Sequence, residues 1–148
     1  MKRVLFVVLL ATAVHADDYV GVASCIHSGC HGSTEPLAAT RVLQNEYYTW
    51  LNRDRHSGAY NILFSVRSAR IARNMRFSKP AWEEAVCLRC HSTYNVAGKV
   101  DLEDGVQCET CHGPAGGWRD GHADPGWNHA RSVAAGMVDL RDLTRRAA

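Results

Sequence analysis

The stretch Cys108-Glu-Thr-Cys111-His112-Gly113-Pro114 decides how the rest of the chain is read. Its form is C-x-x-C-H. Two intervening residues make one helical turn, so both sulfurs lie on the side that faces a porphyrin edge, and the histidine projects from the next turn onto the iron. Cys87-Leu-Arg-Cys90-His91 repeats the arrangement, and Cys25-Ile-His-Ser-Gly-Cys30-His31 is a stretched form in which the small pair Ser28-Gly29 can loop out. All six cysteines fall in these pairs, and every pair has a histidine directly behind it. The pattern predicts three covalently attached c-type haems. Cys25, Cys30, Cys87, Cys90, Cys108 and Cys111 are the attachment residues, and His31, His91 and His112 the proximal ligands.

Other cysteine chemistries fit less well. Zinc ribbons use such pairs in fours, and three pairs do not divide into tetrahedral sites. A thioredoxin-like motif comes once, beside a βαβ pattern that this sequence lacks. Disulfides would explain six cysteines in an exported chain but not the histidine behind each pair.

Working outward, residues 1–16 read as an export signal: Lys2 and Arg3 at the start, an apolar run from Val4 to Val14, and small residues at Val14-His15-Ala16. The apolar run is too short to span a bilayer. The mature chain is expected to begin near Asp17, outside the cytoplasm, in the periplasm or an equivalent exported location. Residues 17–148 then form a single three-haem domain. Without Lys2 and Arg3, 15 basic residues face 15 acidic ones, so the mature chain is close to neutral. With no basic run and no aromatics interleaved with Lys or Arg, nucleic-acid binding has no support. Each porphyrin supplies a large apolar face, so less polypeptide needs burial.

The expected fold is mainly α, with short helices and loops around stacked haems and little or no β structure. Asp17 to Ser24 reads as an extended lead. A helix is expected to start at Ser33-Thr34-Glu35-Pro36 and run through Arg53 with Leu37, Leu43, Tyr47, Trp50 and Leu51 at helical spacing. A second is expected from about Ala59 to Met75 with Ile62, Leu63, Val66 and Ile71 on one face. A short helix from Ala81 to Cys90 delivers the second motif, and Ser92 to Gln107 reads as loop. Gly113-Pro114 stops the third motif helix, Ala115 to Gly126 is irregular, and a tail helix over Arg131 to Ala148 is expected to bear Val133, Met137, Leu140 and Leu143.

Four histidines remain for the far side of the irons: His27, His56, His122 and His129. Their assignment matters because a bis-histidine haem is saturated and only passes electrons, whereas an open iron binds small molecules. His56, behind the aromatics Tyr47, Tyr48 and Trp50, is the leading distal candidate. His122 and His129 lie in a segment that could fold back over a haem. His27 sits in its own attachment loop at the edge of its own haem and does not reach the far face of that iron.

Several of these segments together resemble the multihaem cytochrome c-554 family: Cys25 to His31, Tyr48-Thr-Trp50 with His56, Cys87-Leu-Arg-Cys90-His91, and Gly105-Val-Gln-Cys108-Glu-Thr-Cys111-His112-Gly113-Pro114. The resemblance implies a mostly helical electron carrier with closely stacked haems. It implies that His56 is the distal ligand of a haem attached later in the chain, and that His122 ligates another haem. The family usually carries a fourth C-x-x-C-H and a histidine between the second and third motifs, and this sequence has neither. It reads either as a three-haem form or as the front part of a longer four-haem protein. The resemblance further implies that the haem at His91 is the one left five-coordinate.

Two functional classes follow. The first is an exported electron carrier between donor and acceptor proteins. The second is a redox enzyme, or a subunit of one, acting on a small nitrogen or sulfur compound at a five-coordinate haem. A sensor or haem-delivery module is a third. No nucleophile elbow, phosphate loop or dinucleotide fingerprint is present.

Overall fold

The computed structural model describes residues 17–37, 42–142 and 144. Among them are five short α-helices: α1 (Glu46–Arg53), α2 (Val66–Asn74), α3 (Ala85–His91), α4 (Cys108–His112) and α5 (His129–Ala134). Single 3-10 turns lie at Val22–Ser24, Asn61–Phe64, Ala81–Glu83, Leu102–Asp104 and Gly121–Ala123. The described residues contain no strand, only an isolated parallel bridge between Tyr19 and Gly98. The mainly-α expectation holds. The proposed signal at residues 1–16 lies outside the described residues, and no helix of the described residues is long and apolar enough to cross a membrane.

Several helix boundaries differ from the sequence reading, each for a local reason. The first helix starts at Glu46, not near Ser33. The chain before it closes on itself, with Ser33 N donating to Gln44 O (2.7 Å) and Leu37 N to Leu43 O (2.8 Å). Gln44 takes a left-handed φ of 60°, which no helix accommodates. Glu46 then accepts the Leu43 and Gln44 amides through Oε1, a carboxylate satisfying the chain just ahead of the first turn.

The expected helix from Ala59 to Met75 is broken at Ser65, which is extended (ψ 154°) and caps α2 by accepting the Ser68 amide. The break rotates the two halves relative to each other, so the expected common face does not form. Leu63 is buried, while Ile62, Val66 and Ile71 are exposed. The turn Ala81–Glu83 and α3 are likewise separated by extended Glu84. Among the described residues of the tail the α-helix covers His129–Ala134; Met137 and Leu140 lie beyond it, and Leu143 is outside the described residues.

The apolar core is small. Leu63, Ala72, Ala81 and Leu88 cluster, with Tyr60, Phe77, Trp82, Cys87, Tyr94 and Leu102 packed around them. It surrounds the second motif. A polar framework ties the rest together, and its centre is Glu109, the second residue of the third motif, which is 2% exposed. Its carboxylate accepts the amides of Val20 (3.0 Å), Gly21 (2.8 Å) and Ala115 (2.7 Å). Gln107, fully buried, accepts the Val22 amide and donates to Asp101 O. Two side chains that flank Cys108 thus hold the amino-terminal lead and the following loop. Buried polar groups of this kind are tolerated because each is satisfied.

Candidate haem sites

The second and third motifs form helices, α3 and α4, as one helical turn between thiols requires. The first motif instead closes a turn: Cys30 N donates to His27 O and His31 N to Cys25 O. Ser28 and Gly29 lie exposed, where the extra two residues loop out. None of the six cysteines is in a disulfide, and within each pair the first is half-buried and the second exposed. Burial pushes the Cys25 thiol up to about 11, with nearby Cys108 and Glu109 adding to it. Burial also raises Cys87 and Cys108. The amides of Val20, Gly21 and Val22, just ahead of Cys25, donate to Glu109 and Gln107 on either side of Cys108, so the first and third motifs are neighbours. The second and third are joined by a hydrogen bond between the Thr93 and Thr110 hydroxyls (2.7 Å) and by Thr93 N donating to Gly105 O (2.9 Å).

Iron ligation by a histidine leaves its other ring nitrogen to be held by a second partner, which sets ring orientation and tautomer. Four candidate ligands have that arrangement, with Nδ1 held. His31 Nδ1 lies 3.0 Å from Glu46 Oε2. His91 Nδ1 lies 2.9 Å from Ala59 O. His56 Nδ1 lies 2.9 Å from Asp54 Oδ1, and His122 Nδ1 hydrogen-bonds Arg119 O. Nε2 is the atom left to each for a metal. Glu46 has a net downward shift: burial raises it, but hydrogen bonds from His31 and the backbone outweigh that. An ionised Glu46 makes the His31 ring a stronger donor. His112 keeps an exposed edge, yet burial of its ring, with His31 nearby, lowers its pKa. The imidazole therefore favours the neutral form that binds metal.

The rings of His31 and His122 have centroids 6.1 Å apart and lie within 5° of parallel. Two imidazole nitrogens at about 2 Å from a shared metal put the ring centres about 6.3 Å apart. The spacing fits one iron between them. His56 and His112 line one cavity of about 370 Å³, together with Cys108, Cys111, Trp50 and Glu46. His56 is held there by backbone: Val106 N donates to His56 O (3.0 Å), and Trp50 Nε1 donates to Val106 O (3.1 Å). Gly105, at φ 69°, permits the approach, since a Cβ there would sit 2.4 Å from His56 O. Trp118 packs edge-on against His122, and its buried indole N–H has no partner. A buried donor without an acceptor is costly, and a haem propionate is an acceptor of the right type. These four observations fit the covalently bound porphyrins that the sequence implies.

The remaining candidates are placed differently. His129 Nε2 lies 3.2 Å from Asp139 Oδ2 without a hydrogen bond, and the neighbouring Val138 N donates to His112 O (2.8 Å), so this pair stands beside the third motif. His27 Nδ1 accepts the Gly29 amide within its own loop. Among the described residues no histidine is in ring contact with His91. Glu46, Asp54, Glu109 and Trp118 were not singled out as site residues from sequence. Only Glu109 carried a signal, its place inside the Cys-Glu-x-Cys-His-Gly-Pro segment.

A family model described as cytochrome c554 and c-prime matches residues 24–113. The chain belongs to this cytochrome family. The matched residues contain all three cysteine pairs, the proximal histidines and His56, and they end before His122 and His129. Membership in the cytochrome c554 and c-prime family establishes covalently bound haem c and haem-based electron transfer, and with them redox partners. No curated protein and no solved structure matches the chain.

Proposed function

We propose that the chain is an exported three-haem electron carrier in which two irons are closed by histidine pairs and one is open. Bound haem supplies an iron that alternates between ferric and ferrous states and so carries single electrons. Cys25 and Cys30 would attach the first haem, with His31 and His122 as the histidines that would hold its iron. Cys108 and Cys111 attach the third, with His112 and His56. Cys87 and Cys90 attach the second, with His91 alone. The observation that carries the reading is that two of the three proximal histidines each have a second histidine beside them: the His122 ring centroid lies 6.1 Å from that of His31, and His56 lines the same cavity as His112. His129, faced by Asp139, is left out of this ligand set. His122 also supplies the partner that the missing histidine between the second and third motifs leaves open. Residues 1–16 direct export, and 17–148 form the haem domain. Protein matured by a cytochrome c assembly system should gain three haem masses and retain no free thiol. Two additions would remove the stretched Cys25/Cys30 site, and none would end the proposal.

The open second haem favours a secondary reading, in which a small ligand such as nitric oxide binds at His91's iron while the protein mainly carries electrons. Electron paramagnetic resonance of the oxidised protein should show high-spin signal worth about one haem in three. Three low-spin haems, with no change on adding carbon monoxide after reduction, would leave a pure carrier.

A further inference from the structure

The sequence has no basic run, yet between Asp54 and Glu83 there is not one acidic residue, while Arg55, Arg67, Arg70, Arg73, Arg76 and Lys79 all fall in the interval. Folding turns four of these into a row. Arg67, Arg70 and Arg73 are spaced by three on α2, which places them within an arc of about 120° on the helix. All three are exposed, opposite the buried Ala72 that anchors the helix to the core. Among the described residues none of the four arginines makes an ion pair.

Arg76 extends the row beyond the helix end at a conformational cost. It has a left-handed φ of 56°, with Phe77 N donating to Ala72 O and Arg76 N to Arg73 O. This is the capping arrangement in which glycine is the usual residue at that position. An arginine where glycine is preferred points to a use for its side chain. Apolar side chains are interspersed with the arginines: Val66 is 85% exposed, Met75 61% and Ile71 49%. Charged residues around exposed apolar ones are the make-up of a protein-binding patch. A helix that lies on a membrane instead separates its apolar and basic faces, and the inner face of α2 is already spent on the core. The patch is continuous with the second haem motif, because α2 packs on Ala81–Glu83 and that turn packs on α3.

We propose that the α2 arginine row is the docking surface for an acidic redox protein, which exchanges electrons at the haem attached to Cys87 and Cys90. The inference rests on haem being bound there. Its test uses the holoprotein, with reduced plant-type ferredoxin as an acidic electron-donor probe and photoreduced riboflavin as a neutral one. The ferredoxin rate should fall at least about tenfold between low and moderate salt. At low salt, Arg67→Gln/Arg70→Gln should slow it about tenfold, and Lys99→Gln/Arg131→Gln, removing the same charge elsewhere, about twofold or less. Arg76→Gly should slow it too without lowering the melting temperature, since the left-handed backbone suits glycine. Riboflavin rates should be equal in all variants. Equal ferredoxin rates for the two double variants would overturn the proposal. So would an unchanged ferredoxin rate combined with loss of binding to phosphatidylglycerol vesicles, which would assign the row to a membrane surface. Failure of riboflavin to reduce even the unaltered protein would instead count against haem-based function.

Discussion

Glu109→Ala is expected to destabilise the protein by about 4 kcal/mol and to lower its melting temperature by about 10 °C. The carboxylate accepts three backbone amides, Val20, Gly21 and Ala115, in a site that is 2% exposed. Its removal leaves three buried N–H groups unpaired and opens a void between the amino-terminal lead and the loop after α4. Each unpaired donor costs about 1–3 kcal/mol, and the sum exceeds what local relaxation recovers. Glu109→Gln keeps one acceptor oxygen but sets an NH2 group against an amide, so it should cost about 2 kcal/mol. Denaturant unfolding of the holoprotein measures both. A loss below about 1 kcal/mol for Glu109→Ala would mean that the contacts to Val20 and Gly21 do not hold the lead. Because Glu109 lies between the two cysteines of its motif, a second readout is haem content, which should stay at the unaltered level in the fraction that folds.

His56→Ala and His122→Ala should each convert a different haem from low to high spin, and the double variant should convert two. His56 and His112 line the same cavity as Cys108 and Cys111, and the ring centroids of His122 and His31 are 6.1 Å apart. Each bond to iron would also cross-link distant parts of the chain, so loss of either should cost on the order of 3 kcal/mol of stability. His129→Ala, with Nε2 against Asp139, should leave the spectrum unchanged. Silence of His122→Ala would show that the pairing of His31 with His122 is wrong, and conversion by His129→Ala would show that His129 closes an iron. Spin state read per haem by electron paramagnetic resonance separates these results from general unfolding, which would convert all haems together.

What the sequence determined by itself was the chemistry of attachment. Cysteine spacing and the histidine behind each pair are local properties, fixed by the geometry of one turn, so Cys87–His91 and Cys108–His112 read correctly as helices without any tertiary information. The mainly-α class followed from the absence of strand patterning. Helix lengths did not, because local backbone breaks override the periodicity: Ser65 is extended and caps α2 through the Ser68 amide, Glu84 is extended, and Gln44 is left-handed. Only the tertiary structure decided which histidine faces which. His56 reaches the third motif because Val106 N and Trp50 Nε1 hold it there, and these bonds join residues 50 and more positions apart. The same holds for Glu109, a polar side chain in sequence and the centre of a buried network in space. It holds too for the arginine row, which becomes continuous only when α2 winds it onto one face. Spacing along the chain reports on one turn of helix; the partners of a buried charge or of an iron are set by packing, which brings distant segments together wherever their polar groups can all be satisfied.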